Sequence, residues 1–288
     1  MRGRWRIFWI VCSCLAGLGV VLCIIGAGMG ASLSGIDSLY GTKHIVYSTI
    51  DWGNDVYNKY DNKNYVQGSA DEVTHFTDIS ELDIDVSYME VVVKEYDGDS
   101  ITVDASQIRS KVKKDLVYKS DEGSLTIETK NNSIWKKSGG DGSGYLVIQI
   151  PRKNNLEAAS FQIGAGRLEI ENIKSQGLDI SVGAGEAVVQ QFETKELNVE
   201  CGAGEAVLSG TVLGDISVNC GVGKAEITLN GKQEDYNYNL KCGIGELVVG
   251  NHSYAGLGND QEIDNGAQRD ADIECGIGQV TVSFTEDM

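Results

Sequence analysis

The feature that most constrains this chain is a phrase that recurs six times between Ser160 and Phe284: QIGAGRLEI, SVGAGEAVV, ECGAGEAVL, NCGVGKAEI, KCGIGELVV and ECGIGQVTV. The first glycines of the copies are Gly164, Gly183, Gly202, Gly221, Gly243 and Gly276, and the second are Gly166, Gly185, Gly204, Gly223, Gly245 and Gly278. Four copies are evenly spaced, from Gly164 to Gly221, and the last two steps, to Gly243 and then to Gly276, are progressively longer. A fixed period of about 20 residues marks an array whose units bury their apolar faces only by stacking on one another. The residue before each Gly-x-Gly is apolar: Ile163, Val182, Cys201, Cys220, Cys242 and Cys275. Two residues earlier stand Phe161, Ile180, Val199, Val218, Leu240 and Ile273, and beyond the bend stand Leu168, Ala187, Ala206, Ala225, Leu247 and Val280. Mostly polar residues separate these columns, which is the period of two of a strand with one face inside. Each unit reads as two short strands joined at Gly-x-Gly. The glycines serve as structural bends because they have no side chain and tolerate positive φ.

This pattern predicts an all-β fold, a β-solenoid of coils of about 19 residues in which equivalent columns stack. An antiparallel β-sandwich built from hairpins is the alternative that the same alternation allows. Leu82–Lys94 lies on Leu178–Gln190 with seven identities in 13 positions, with Ser87 and Met89 where the glycines should be, and reads as a degenerate first coil. Further strands are expected at Ile101–Ala105, Leu116–Lys119, Leu125–Lys130 and Tyr145–Ile150, with a flexible loop at Ser138–Gly144 and Pro151 closing the run.

Ahead of the strands, Phe8–Ala31 is free of charged residues throughout, and is long enough to cross a hydrocarbon core of roughly 30 Å as a helix. Arg2, Arg4 and Arg6 precede it, which predicts a cytoplasmic amino terminus and an exported remainder. A cleaved signal peptide ending among the small residues Gly26–Ala31 is the rival reading. The expected organisation is a basic cluster and transmembrane helix over 1–31, a tether over 32–77, an amino-terminal β region over 78–151 and the repeat array over 152–288. Net charge is −18, and since Met1–Ala31 holds three Arg and no acid, the rest carries −21. So acidic a surface argues against nucleic acid as a partner and favours cations or basic partners. The basic residues Arg109, Lys111, Lys113, Lys114, Lys136 and Lys137 read as a solvated surface.

The residues offer little catalytic chemistry. Cys201, Cys220, Cys242 and Cys275 share the column that also holds Ile163 and Val182, so buried thiols, disulfides between coils and a metal site are three readings of one slot. The Gly-x-Gly units neither complete a nucleotide-binding fingerprint nor match the calcium-binding nonapeptide, and no cofactor or metal is expected. His44, His75 and His252 share no column. The outward column Ser160, Asp179, Asn198, Ser217, Asn239 and Asp272 never sets two acids side by side, so the paired carboxylates of a glycosidase are not expected there. The step from Gly243 to Gly276 far exceeds the period, so Gly250–Arg269 is expected to project as a loop, with His252, Tyr254, Asp260, Glu262 and Asp264 as candidate binding residues. Asp270, Asp272 and Glu274 alternate on the last copy and are expected to guard an exposed strand against pairing.

Taken together, the Arg-flanked apolar span, the tether, the run IPRKNNLEAASFQIGAGRLEI and the Gly-x-Gly strands resemble the bacterial "putative adhesin" β-strand-repeat family of unknown function, over roughly 78–284. The resemblance implies a β-solenoid on the outer side of a bacterial membrane and carries over no catalytic residues. The expected function is that of a membrane-tethered, extracytoplasmic contact, adhesion or envelope-sensing module that is not an enzyme, meeting an envelope protein. The alternative is a cell-wall glycan-binding or glycan-processing protein using the 250–269 segment.

Overall fold

The computed structural model describes residues 73–113, 116–129, 144–255 and 258–286. The apolar span Phe8–Ala31 and the tether up to residue 72 lie outside the described residues, as do Lys114, Lys136 and Lys137. Among the described residues no helix is long and apolar enough to cross a membrane.

The described residues form twenty strands in chain order: β1 (Val73–Phe76), β2 (Glu81–Val86), β3 (Glu90–Tyr96), β4 (Ile101–Asp104), β5 (Leu116–Asp121), β6 (Ser124–Thr129), β7 (Tyr145–Pro151), β8 (Leu156–Ile163), β9 (Arg167–Ile170), β10 (Ile173–Val182), β11 (Glu186–Cys201), β12 (Glu205–Val212), β13 (Ile216–Cys220), β14 (Lys224–Leu229), β15 (Tyr236–Cys242), β16 (Glu246–Val249), β17 (His252–Ala255), β18 (Asn259–Ile263), β19 (Arg269–Cys275) and β20 (Gln279–Phe284). Their burial alternates as the period of two requires, in and out along β2, β13, β14 and β20.

Strands that precede a bend stack in parallel on their equivalents. The ladder β6, β2, β8, β10, β11, β13, β19, β15 is parallel throughout. Strands that follow a bend form a second parallel ladder, β7, β3, β9, β11, β12, β14, β20, β16. The long β11 serves both, with Glu186–Val189 in the second ladder and Leu197–Cys201 in the first. Between those stretches Phe192–Thr194 pairs with Ile173–Ser175 and with Gly210–Val212, a third face across which the coil returns. Coil-on-coil parallel pairing in register makes this a β-solenoid rather than a sandwich of hairpins.

The ladders define eight layers, and the layer order departs from the chain order at both ends. From one end the layers are β6/β7, β2/β3, β8/β9, β10/β11, β11/β12, β13/β14, β19/β20 and β15/β16. The degenerate first coil, β2/β3, is thus the second layer, and the last coil in sequence, β19/β20, is inserted as the seventh. The outermost layers are covered by antiparallel strands, β5 on β6 and β4 on β7 at one end, β18 on β15 and β17 on β16 at the other. A parallel stack leaves a row of unpaired backbone groups at each end, and these antiparallel strands meet it. To lay them down the chain must reach the outermost layer before it is exhausted, so its remaining pair fills the layer beneath.

Two expectations are corrected by this arrangement. Gly250–Arg269 does not project: His252–Ala255 and Asn259–Ile263 are the capping strands β17 and β18. Nor is the strand bearing Asp270, Asp272 and Glu274 an edge, since β19 is paired on both sides, with β13 and β15. The excess length between Gly243 and Gly276 carries the chain out to the cap and back into the stack.

The bend glycines are required by close approach rather than by backbone handedness. None of the twelve has positive φ, a conformation taken instead by glycines such as Gly250 and Gly266. A Cβ on Gly183 would lie 2.5 Å from the carbonyl oxygen of Gly164, and one on Gly202 2.7 Å from that of Gly183. On the second glycines the collision is worse, with Gly185 meeting the Gly166 carbonyl and Gly204 that of Gly185. The bends nest so tightly because their amides bond from layer to layer, Ala184 N to Gly164 O at 2.7 Å and Ala203 N to Gly183 O at 2.7 Å.

Candidate contact surface

The middle residue of each Gly-x-Gly bend stands at the outer rim of the stack, while its equivalent in the degenerate first coil, Tyr88, packs against the core. In layer order these residues are Tyr88, Ala165, Ala184, Ala203, Val222, Ile277 and Ile244, and the last three are 62%, 60% and 65% exposed. Among the described residues the exposed large hydrophobics are these three and Leu213. Insertion of the last coil sets Ile277 between Val222 and Ile244, so three branched side chains in consecutive layers make one apolar ridge, flanked by glycine backbone. Large apolar side chains gathered into one exposed patch mark a contact site more often than scattered ones do.

Beside the ridge, the first residue after each bend forms a column of charges. In layer order it reads Glu90, Arg167, Glu186, Glu205, Lys224, Gln279 and Glu246. Arg167 reaches Glu186 at 3.3 Å and Lys224 reaches Glu205 at 3.4 Å, while Lys224 also holds Glu226 at 2.7 Å. Glu186 and Glu205 are in register on neighbouring layers, so a carboxylate pair exists in a column other than the one in which its absence was expected. Burial pushes the Glu186 carboxyl above the ordinary range, with Arg167 opposing the rise and Glu205 and Glu90 adding to it. A second acidic contact, Asp85 beside Glu128, lies at the other end of the stack, where burial, then Asp83 and Glu128, raise Asp85 and Lys119 holds Glu128 at 2.7 Å.

The residues singled out in sequence fall as follows. In the outward column before the bend, Asp272 stands between Ser217 and Asn239, and Asn198 and Ser217 separate it from Asp179. His252, Asp260, Glu262 and Asp264 are exposed, while Tyr254 packs against the core. His252 and Tyr254 belong to the cap of one ladder and Asp260 and Glu262 to that of the other, so the structure does not gather them on one strand pair. Asp264 accepts the Gly266 amide at 2.8 Å. All four column cysteines are buried and free. Among the described residues no group of three or more His, Cys, Asp or Glu converges to hold a metal ion.

Parallel coils nested at Gly-x-Gly bends, carrying an exposed ridge beside a salt-bridged column, define a β-repeat protein whose surface is a set of stacked columns. Residues 79–287 match the Toastrack DUF4097 family, and the chain belongs to it. No curated protein matches the sequence. Among solved structures the chain is similar to a "putative cell adhesion protein" from Clostridium sporogenes, at 15% identity over 74% of this chain and 98% of that one, with a TM-score of 0.43. It is similar to a "putative adhesin" from Bacteroides fragilis at 12% identity over 73% and 94%, TM-score 0.44, and to a "putative lipid binding protein" from Parabacteroides distasonis at 14% over 73% and 96%, TM-score 0.34.

Proposed function

We propose that the chain is a membrane-tethered, extracytoplasmic module that works by contact, as an adhesion, scaffold or envelope-sensing surface, and does no chemistry of its own. The observation that carries this reading is the apolar ridge Val222, Ile277 and Ile244, the one place among the described residues where large hydrophobic side chains are exposed in register. An envelope protein with a complementary apolar groove is the partner it fits. The membrane anchor is the uncharged span Phe8–Ala31 behind Arg2, Arg4 and Arg6, which orients the array outward. Protease added to intact cells should remove the repeat domain, and protection of that domain would overturn the topology. Replacing Val222, Ile244 and Ile277 together by Ser should leave the fold intact but make the gene unable to complement the envelope phenotype of a deletion strain.

A second reading, a cell-wall glycan-processing protein, is favoured by one observation, the neighbouring carboxylates Glu186 and Glu205. Layers spaced roughly 4.8 Å apart set such a pair near the separation of about 5 to 5.5 Å used by retaining glycosidases. Each carboxylate, however, is already engaged by a cation from the adjoining layer. Release of sugar fragments from purified peptidoglycan by the wild type, lost in E186Q/E205Q, would establish this reading and displace the first.

A further inference from the structure

Four thiols occupy one column of the stack, and the inserted layer sets Cys275 rather than Cys242 beside Cys220. Cys201, Cys220, Cys275 and Cys242 fill one inward column in four consecutive layers, each in register with the next. All are free, and none is more than 2% exposed.

In-register residues of adjacent parallel strands stand about 4.8 Å apart with their Cα–Cβ bonds side by side. A disulfide needs Cβ atoms about 3.8 Å apart. Closing one here would draw two layers together at the bends, where the Gly221 amide already bonds the Cys201 carbonyl at 2.8 Å and the Gly276 amide that of Cys220 at 2.8 Å. A bridging metal ion has the opposite requirement. Two metal–thiolate bonds of about 2.3 Å in line separate their sulfurs by about 4.6 Å, close to the layer spacing. A column supplies two ligands in line and no third, which suits a soft ion content with two thiolates and not tetrahedral zinc.

The sulfurs also lie close to the bend edge. A Cβ on Gly223 would sit 2.8 Å from Cys201 Sγ, one on Gly278 3.0 Å from Cys220 Sγ, and one on Gly245 2.8 Å from Cys275 Sγ. Glycine backbone, without a side chain, stands beside each of these sulfurs, so no side chain competes for the space next to them.

We propose that this column is a binding site for a soft univalent cation of the Cu(I) class, each ion bridged between thiolates of neighbouring layers, Cys201 with Cys220 and Cys275 with Cys242. In each pair two thiols release two protons to solvent and take up one cation. The bridged pair keeps one negative charge where two bare thiolates would keep two, and no electron changes hands. Uptake therefore strengthens as pH rises and releases protons.

The test uses the full-length chain in detergent with Cys12, Cys14 and Cys23 changed to Ser, reduced and titrated anaerobically with Cu(I) against a competing Cu(I) chelator. The readout is the near-ultraviolet thiolate-to-copper charge-transfer band. Two ions per chain are expected, falling to one in C201V and to none in C220V/C275V, which leaves the remaining thiols on layers that do not touch. Valine already occupies this column at Val182, so the variants should fold, and circular dichroism checks that they do. An unchanged ion count in C220V/C275V, absence of the band in the parent, or a chain isolated without reductant that is lighter by two hydrogens per pair would each overturn the proposal.

Discussion

The guanidinium of Arg269 lies 4.4 Å above the ring of Tyr236, so the first residue of the inserted seventh layer is clamped onto the first residue of the eighth. The same group donates to the Val212 carbonyl at 3.1 Å and to the Asp235 carbonyl at 3.2 Å, and pairs with the Asp235 carboxylate at 3.1 Å. Tyr236 in turn packs on Phe284 at 6.1 Å and donates its hydroxyl to the Val212 carbonyl at 3.1 Å. One side chain thus ties three layers. R269A should cost about 2 kcal/mol in urea unfolding, and R269K should recover less than half of it, because an ammonium cannot reproduce the planar fork.

Gly204 is held by contact on two sides, its missing Cβ facing the Gly185 carbonyl and lying 2.8 Å from Val182 Cγ1. Gly204→Ala should therefore cost about 3 kcal/mol or more, as overpacking of a closely fitted interior does. Ala203→Ser, one residue away at the exposed rim of the bend, should change the thermal midpoint little. Equal tolerance of both would mean that the layers slide apart more readily than their spacing indicates.

Deleting Asn251–Gln268 should abolish cooperative unfolding. The segment supplies β17 and β18, and it is the path by which the chain returns from the eighth layer to the seventh. Without it β19 and β20 cannot reach their slot, and circular dichroism should report lost strand content. A variant that keeps its strand signal and midpoint would show that the coils restack in chain order.

Cys201→Val should be tolerated to within about 1 kcal/mol, since the neighbouring layer holds Val182 in the same slot. Cys201→Asp should cost about 4 kcal/mol, because it buries a carboxylate without a partner. Chemical denaturation of the two variants side by side separates a slot that wants shape from one that wants sulfur.

Raising of the Glu186 carboxyl has a pH signature whose sign is fixed. A group that holds its proton more tightly folded than unfolded contributes stability that is present below its unfolded value of 4.5 and is lost as pH rises through the raised folded value. E186Q cannot ionise. The fall in urea midpoint on raising pH just above 4.5 should be smaller in E186Q than in the wild type, and an equal fall would assign the effect to another group.

The apolar columns and the Gly-x-Gly bends were legible in the sequence, because each recurs with its period intact and stacking demands that equivalent positions match. Leu82–Lys94 was recognisable as a coil for the same reason. Its neighbour β6/β7 was not, since residues 130–144 separate its two strands and no Gly-x-Gly follows β6 at the spacing of the other copies. Layer order was illegible for a deeper reason: Leu240 and Ile273, or Cys242 and Cys275, are interchangeable in a column, so the apolar pattern is indifferent to which copy lies outermost. The ridge does not depend on that order, since Val222, Ile244 and Ile277 are the middle residues of three successive copies and fall in consecutive layers either way; the insertion only sets Ile277 between the other two. Glu186 beside Glu205 did follow from GAGEA recurring at the coil period, in the column after the bend rather than the one before it.

Because chain order and layer order agree only from β8 to β14, lengthening of the protein by duplication is confined to that stretch. A copied unit of one full period placed there would slip in as one more coil and leave both closures untouched. The same copy appended after Phe284 would find β15 and β16 already occupying the next berth, with their far sides closed by β17 and β18. Variation in the length of such proteins should accordingly arise from the middle of the chain, and the two ends should stay the same size.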